Sequence, residues 1–545
     1  MPSIPCRERV DPVGDLLDAY EPVDAWDEMF DREGNTRFDY RALYEHVQTL
    51  SKQDFDERCA TRDRVFRDQG ITYAHSGEER PFPLDLVPRV ISAAEWSVVE
   101  RGVAQRVRAL ERFLDDVYGP GEIMRAGVVP RRLVVTSSHF HRAAFGIAPP
   151  GGVRVHVAGI DLVRDADGRM CVLEDNLRIP SGISYVVENR RAMTHVFPEL
   201  FAAHRVQPVS DYPARLLQTL CAVAPAGVDD PRVVLMTPGV HNAAYFEHSF
   251  LARQMGVELV EGRDLVCRDN VLYMLTTSGE ERVDVVYRRV DDEYLDPLHF
   301  RPTSMLGCAG VVNAARAGNL TIANFLGNGV ADDKAVYPYV PAMIEFYLGE
   351  RPVLANVETF MLDEDEVRAW AFDRLDRLVW KPADGSGGKG IVIGPHATAE
   401  ALDAVRVAVE AAPRSWIAQQ PVALSTAPTY VDAGMRPRHL DLRPFALNDG
   451  ENVWVVPGGL TRVALGEGSL VVNSSQGGGS KDTWVLAAEG AEIEPEDAGA
   501  TGGAACEPLA RQPFDVIGGA PEQAQQQQQQ QQQAATPSGG GCETC

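Results

Sequence analysis

The chain has 545 residues, 45% of them hydrophobic and 24% charged, which is more than one core normally serves and ordinary for a globular protein of two or three domains. Its formal charge of −26 argues against nonspecific nucleic-acid binding, which needs Lys and Arg against phosphates. No apolar run is long enough to span a bilayer, and the first nine residues lack the apolar stretch of a signal peptide, so a cytoplasmic protein with no nucleic-acid or membrane partner is expected.

Residues 1–130 read as a mostly helical region. Residues 40–66 alternate apolar and charged positions at helical spacing, and 94–118 make the clearest amphipathic helix. Its stripe is Val98, Val99, Val103, Val107, Leu110, Phe113, Leu114 and Val117, and Gly119-Pro120 ends it. Residues 131–230 turn to short strands, expected at 133–136, 153–157, 160–163 and 171–174, followed by helix over 184–204. Within them, an apolar strand, a turn at Asp167-Gly168 and a second apolar strand form a hairpin. Asp161 lies on the first strand; Glu174 and Asn176 sit two apart on the second and share a face. Three hard oxygen donors across a hairpin suit Mg²⁺.

Residues 231–330 open with a strand at 231–236, the loop 237–242, a helix over 243–255 and a strand at 258–260, a βαβ pattern of Rossmann-like type; 283–288 adds another strand. In 331–486 a helix is expected over 334–348. The stretch 379–394 reads as strand, glycine-rich loop and strand, 399–412 as an amphipathic helix, and 416–422, 440–447 and 453–456 as strands. Residues 487–545, rich in Ala, Gly, Glu and Pro with nine consecutive Gln from Gln525 to Gln533, cannot bury enough apolar area to offset ordering entropy and read as a disordered tail. The cysteines show no metal-like spacing before Cys542-x-x-Cys545.

The glycine-rich loop, Lys381-Pro382-Ala383-Asp384-Gly385-Ser386-Gly387-Gly388-Lys389-Gly390, offers bare amides, a hydroxyl and lysines to a polyphosphate. Of 52 basic residues only five are Lys, and four of them (Lys334, Lys381, Lys389, Lys481) fall between 334 and 481. A compact cation on a flexible stem is retained where Arg does not serve.

The Asp161, Glu174, Asn176 spacing and the Lys-Pro-x-x-Gly-Ser-x-Gly loop resemble the ATP-grasp ligases. Their order is reversed here, with the metal carboxylates upstream, and the run from Leu173 to Tyr185 is similar to the circularly permuted ATP-grasp group, relatives of glutathionylspermidine-synthase-like proteins. The resemblance spans about residues 80–485. It implies an α/β fold of permuted ATP-grasp type with a Rossmann-like preceding domain. It also implies ATP and Mg²⁺ as cofactors and a ligase joining a small-molecule or peptide carboxylate to an amine through an acyl phosphate. Residue by residue, it places Asp161, Glu174 and Asn176 at the metal. Lys334, Lys381, Asp384, Gly385, Ser386, Gly387, Gly388 and Lys389 fall at the phosphates, and Gln419, Gln420 and Val422 under adenine. Arg178, Arg443 and Arg462 are the candidates for charge on the transferring phosphoryl group.

Two departures leave a second reading open, a nucleotide-binding subunit without ligase turnover: Gln420 stands where an acid is usual, and Gly159 where an Arg often precedes the Asp. Two further stretches are candidate substrate contacts, Arg288, Arg289, Asp291 and Asp292 at a strand end and the loop from Asn473 to Lys481; ordinary turn chemistry explains both equally. His139 and His141 read as structural. A dinucleotide oxidoreductase is disfavoured, because the first βα turn is Thr237-Pro238-Gly239-Val240-His241-Asn242 without Gly-x-Gly-x-x-Gly.

Overall fold

The computed structural model describes residues 16–18, 20–75, 78–385, 390–431, 434–470, 472, 478–488 and 490–491. Of the tail expected over 487–545, residues 487–488 and 490–491 are described, with the Ala487 amide donating to Arg205 O; the rest, with its Gln run and terminal Cys pair, lies outside them.

A ten-stranded sheet organises the chain. Across it run, in spatial order, Ala355–Asn356, Met170–Asn176, Val157–Arg164, Gly434–Arg443, Leu460–Val463, Gly479–Val485 and Leu84–Ile91. Thr426–Val431 forms a hairpin with Gly434–Arg443, and Phe445–Asn448 pairs with both Val157–Arg164 and Val453–Val455. The upstream hairpin and the downstream strands therefore share one sheet, joined where Leu162 faces Leu442 and Gly159 faces Phe445. Behind it packs the helix Ala93–Val117, capped by Ser92 accepting from the Glu95 amide. Its stripe is buried as expected except for Val98, which is exposed.

Leu84–Ile91 sits inside the stretch expected to be mostly helical. All eight of its residues are buried, and it pairs in parallel with Gly479–Val485. A strand covered on both faces shows no alternation, and Pro88 masks it further. Residues expected as a strand at 133–136 instead form a short helix, Arg131–Val135, after Pro130 at its N-cap. The strand expected at 153–157 begins only at Val157. The helix expected from Lys334 starts later, as a 3-10 turn Tyr337–Tyr339 leading into Val340–Leu348, with Pro338 and Pro341 in their first turns. Pro444 splits the strand expected at 440–447 into Gly434–Arg443 and Phe445–Asn448.

Of the four smaller sheets among the described residues, two have four strands each. Thr321–Ala323, Val285–Arg288, Val233–Met236 and Glu258–Val260 form a parallel sheet with the helix Tyr245–Met255 between its first two strands in sequence, the Rossmann-like pattern read from the residues. Thr359–Met361, Trp416–Gln419, Val379–Pro382 and Val392–Ile393 form an antiparallel sheet. It packs on the helices Asp365–Phe372 and Ala399–Ala411 through Leu362, Ala371, Leu378, Trp380, Val405 and Val409. Among the described residues no helix is long and apolar enough to cross a membrane.

Candidate nucleotide and metal site

The face of the central sheet that carries Asp161 is densely charged. Asp161 opposes Glu174 across the hairpin, and a register shift between Asp161 and Leu162 leaves Leu173 as an extra residue on the partner strand. Asp161 is fully buried and held by two arginines from downstream strands: Arg443 donates through Nε and Nη2 at 2.5 and 2.7 Å, and Arg462 through Nη2 at 2.6 Å. Burial alone would raise the Asp161 carboxyl, but Arg443 and Arg462 outweigh it and hold it well below the usual carboxylate range. Glu174 lies within hydrogen-bonding reach of Asp161, yet its nearest cations are Lys334 Nζ at 3.6 Å and Arg443 Nη2 at 3.8 Å. Asn176 shares its face, opposite Gly159, and its buried Nδ2 has no hydrogen-bond partner.

Gly159 explains the departure noted at that position. A Cβ there would meet Pro180 Cβ at 3.1 Å and Arg443 Cδ at 3.2 Å, so the bare glycine leaves room for a guanidinium delivered from position 443.

Beside this face a cleft of about 830 Å³, counting its open mouth, runs between the central and the small antiparallel sheets. Asp161, Glu174, Lys381, Asp441 and Arg462 line its charged end. Val357, Val379, Ile391, Ile393, Val422, Leu424, Leu470 and Val472 line the rest, with Gln419 and Gln420 at the connecting strand. Lys381, on Val379–Pro382, is lowered to about 8 by burial, partly offset by Glu174. Lys334 donates from Nζ to the Gly385 carbonyl, and its own amide donates to Ala383 O at 3.0 Å, so it tethers the start of the glycine loop. Asp333 beside it is structural, accepting from Arg414 Nη2 at 2.6 Å and Ser137 Oγ at 2.8 Å. Gln419 donates to Thr359 Oγ1 at 2.8 Å, and the Gln420 amide to Glu358 O at 3.1 Å. Asp384 and Gly385 stand at the mouth of the loop; Ser386, Gly387, Gly388 and Lys389 lie outside the described residues.

Other candidates sit elsewhere. Arg178 is tied to Asp332 at 2.9 Å and Asp291 at 3.3 Å and does not line the cleft. Arg288 is spent on the carbonyls of Asn324, Val290 and Phe325 and on Asp292. Arg289 binds Pro180 O and Glu247. Lys481 is fully buried against Asp85, Val87 O and Pro428 O, which removes it as a substrate contact; residues 473–477 lie outside the described ones. His141 faces Asp292 at 3.5 Å, and burial pushes His139 down to about 3.

Asp441 was not singled out by sequence. It is buried in the cleft opposite Arg462, accepting from Arg462 Nε at 2.9 and 3.0 Å. The signal available was its spacing, two residues before Arg443 on one strand and hence on the same face.

The family model described as circularly permuted ATP-grasp type 2 matches residues 88–464. This chain belongs to that family. An uncharacterized protein of Mycobacterium leprae is 62% identical over 85% of this chain and 82% of its own length, and one of Synechocystis is 49% identical over 86% and 98%. A putative glutamate–cysteine ligase of Frankia casuarinae is 46% identical over 89% of this chain, which spans 56% of that protein. A glutathione synthetase-like effector from Globodera pallida shares the fold, with TM-score 0.55 and 13% identity over 80% of this chain and 98% of its own.

Proposed function

We propose that this protein is an ATP-dependent ligase that joins a carboxylate to an amine through an acyl phosphate. One observation carries the reading: Asp161 and Glu174, encoded upstream, line the same cleft as Lys381 and Arg462, encoded downstream. Family membership and the name of the Frankia protein, of which this chain spans 56%, support it.

The donor set fits Mg²⁺. Asp161 and Glu174 face each other closely, Glu174 has no short cation contact, and Asn176, two residues along the same strand face, would offer its Oδ1. Among the described residues no three His, Cys, Asp or Glu side chains could hold a metal, so the set is two carboxylates and the amide, with water and phosphate oxygens completing it. When bound, the ion supplies charge neutralisation at the β- and γ-phosphates. The apolar walls seat adenine, with the backbone at Gln419 and Gln420 alongside. Lys334, Lys381 and the loop from Asp384 to Lys389 hold the phosphates. Arg443 and Arg462 orient Asp161 and stabilise charge on the moving phosphoryl group. The carboxylate oxygen attacks the γ-phosphorus and ADP leaves; the amine then attacks the acyl carbon and phosphate leaves. Arg178, held by two aspartates, orients the segment after the metal strand.

The non-catalytic reading loses half its support, because Arg443 reaches the space that Gly159 leaves. The test is ADP formation with ATP, Mg²⁺ and mixed carboxylates and amines, using carboxylates labelled with heavy oxygen. Label is expected in the released phosphate, and Asp161→Ala or Lys381→Ala should lower turnover by at least about 100-fold. ADP formation that is equal in these variants, or phosphate free of label, defeats the reading.

A further inference from the structure

The parallel sheet reverses its strand order between Val233–Met236 and Val285–Arg288. The chain passes from the first of these to Glu258–Val260 on one side, and from the second to Thr321–Ala323 on the other. Open α/β sheets place their working groups beyond the carboxyl ends of the strands at such a point. Arg289 stands there, one residue past its strand, and Glu247 approaches it from the helix Tyr245–Met255. Both are 1% exposed, and they pair at 3.0 Å.

Both side chains are directed at one turn. Arg289 donates from Nη1 to Pro180 O at 2.9 Å and from Nη2 to Ser181 Oγ. Glu247 Oε2 accepts from the Gly182 amide at 2.7 Å, the Ser184 amide at 3.2 Å and Ser184 Oγ at 3.0 Å. A carboxylate remote in sequence thus caps the helix Ile183–Val196, whose own N-cap, Gly182, offers no side chain. The turn then reaches Arg443. Ser181 O accepts from Arg443 Nη1 at 3.3 Å, while Nε and Nη2 of the same guanidinium grip Asp161. Pro180 and the stem of Arg443 also close on Gly159 together. Apolar side chains could replace a buried ion pair with little loss of stability. They could not hold the polar atoms of this turn in fixed directions, as a guanidinium and a carboxylate do.

We propose that Arg289 and Glu247 are positioning residues that aim Arg443. They fix the turn from Pro180 to Ser184, and the turn fixes the one edge of the guanidinium that Asp161 leaves open. Neither residue lines the cleft. The proposal rests on the ligase reading, in which Arg443 meets the moving phosphoryl group, and gives the Rossmann-like sheet a part in that step without a group at the reacting atoms. The stake is large, because a misplacement of about 1 Å costs on the order of 100-fold in rate.

The experiment uses two variants of the full chain. Arg289→Lys keeps the charge beside Glu247 but loses the fork, and Ser181→Ala is a small change in a half-buried turn that carries the test if Arg289→Lys does not fold. Turnover is followed with the labelled carboxylates and mixed amines at varied ATP. Arg289→Lys should lower kcat about tenfold or more and Ser181→Ala about threefold or more, with KM for ATP within about twofold. Once Arg443 is replaced, in Arg443→Lys, neither change should lower kcat further, because all act through one guanidinium. A vicinal dicarbonyl reagent reads the same device without turnover: peptide mass spectrometry should show Arg443 modified about threefold faster or more in both variants. A wild-type protein that releases no labelled phosphate defeats the ligase reading, and the modification rate alone then decides the positioning. The proposal is overturned by kcat within about twofold of wild type in both variants, by losses that multiply with that of Arg443→Lys, or by an unchanged rate of Arg443 modification.

Discussion

Burial lowers both Lys381 and Lys481, and Lys381 is the one of the two that lines the cleft. Burial lowers it to about 8 while Lys334 and Glu174 pull in opposite directions, so at pH 8 about half of it is a free amine, against a small fraction of an ordinary lysine. A limiting amine-acylating reagent at pH 8 should therefore label Lys381 first by peptide mass spectrometry, and ATP should protect it; uniform labelling of Lys52 and Lys381 would contradict the burial argument. Gly159 makes a second residue-scale prediction. Gly159→Val places carbon atoms where Arg443 passes, so turnover should fall by about tenfold or more with little change in far-ultraviolet dichroism. Of the cleft's lining, Asp161, Glu174 and Lys381 were legible in the sequence because their residue types sit on strands at a recognisable spacing. The sequence did not show that Arg178 is tied to Asp291 and Asp332, because those carboxylates lie far along the chain. It missed Asp441 because a lone acid in an apolar strand looks like any solvated position until its neighbour strand supplies Arg462.

At the scale of elements, the hairpin that carries Asp161 and Glu174 was legible from alternation and from Asp167-Gly168, and Gly168 does sit at a positive φ of 81°. What holds the hairpin in place was not. The segment around Trp26–Phe30 docks by backbone pairing with Thr426 and through Glu28, joining strands that are remote in sequence. Gly168→Ala combines an unfavourable φ with a clash against Trp26, and should cost about 1–3 kcal/mol in chemical denaturation; unchanged stability would mean that Trp26 does not brace the turn. The helix Arg131–Val135 and the strand Leu84–Ile91 show why local pattern failed. A β-branched run became a short helix after Pro130, and an apolar run became strand because Gly479–Val485 lies beside it.

At the scale of the whole molecule, one edge of the central sheet is built from segments remote in sequence. Leu84–Ile91 and Gly479–Val485 pair mainly outside the span matched by the family model, pinned by the buried Lys481–Asp85 contact. Lys481→Met leaves Asp85 uncompensated and should cost about 3–5 kcal/mol by denaturant titration. Stability should also fall in acid. Burial lowers His156 to about 3 and holds His248 well below its ordinary value. Between pH 6.5 and 3 the unfolded chain binds protons that folded His156 refuses, and stability drops as pH falls, by about 1.4 kcal/mol per unit for such a residue. Thermal melts from pH 7 to pH 4 should show it, and His156→Gln should flatten the slope. The hairpin also fixes a timetable for synthesis. Asp161 leaves the ribosome well ahead of its counter-ions, which follow 282 and 301 residues later. At about 5–20 residues per second that interval is on the order of 15–60 s. Throughout it the nascent strand carries a charge with no mate and an edge with no neighbour, which makes it a client for holding chaperones, and a stop codon between the two halves strands it there.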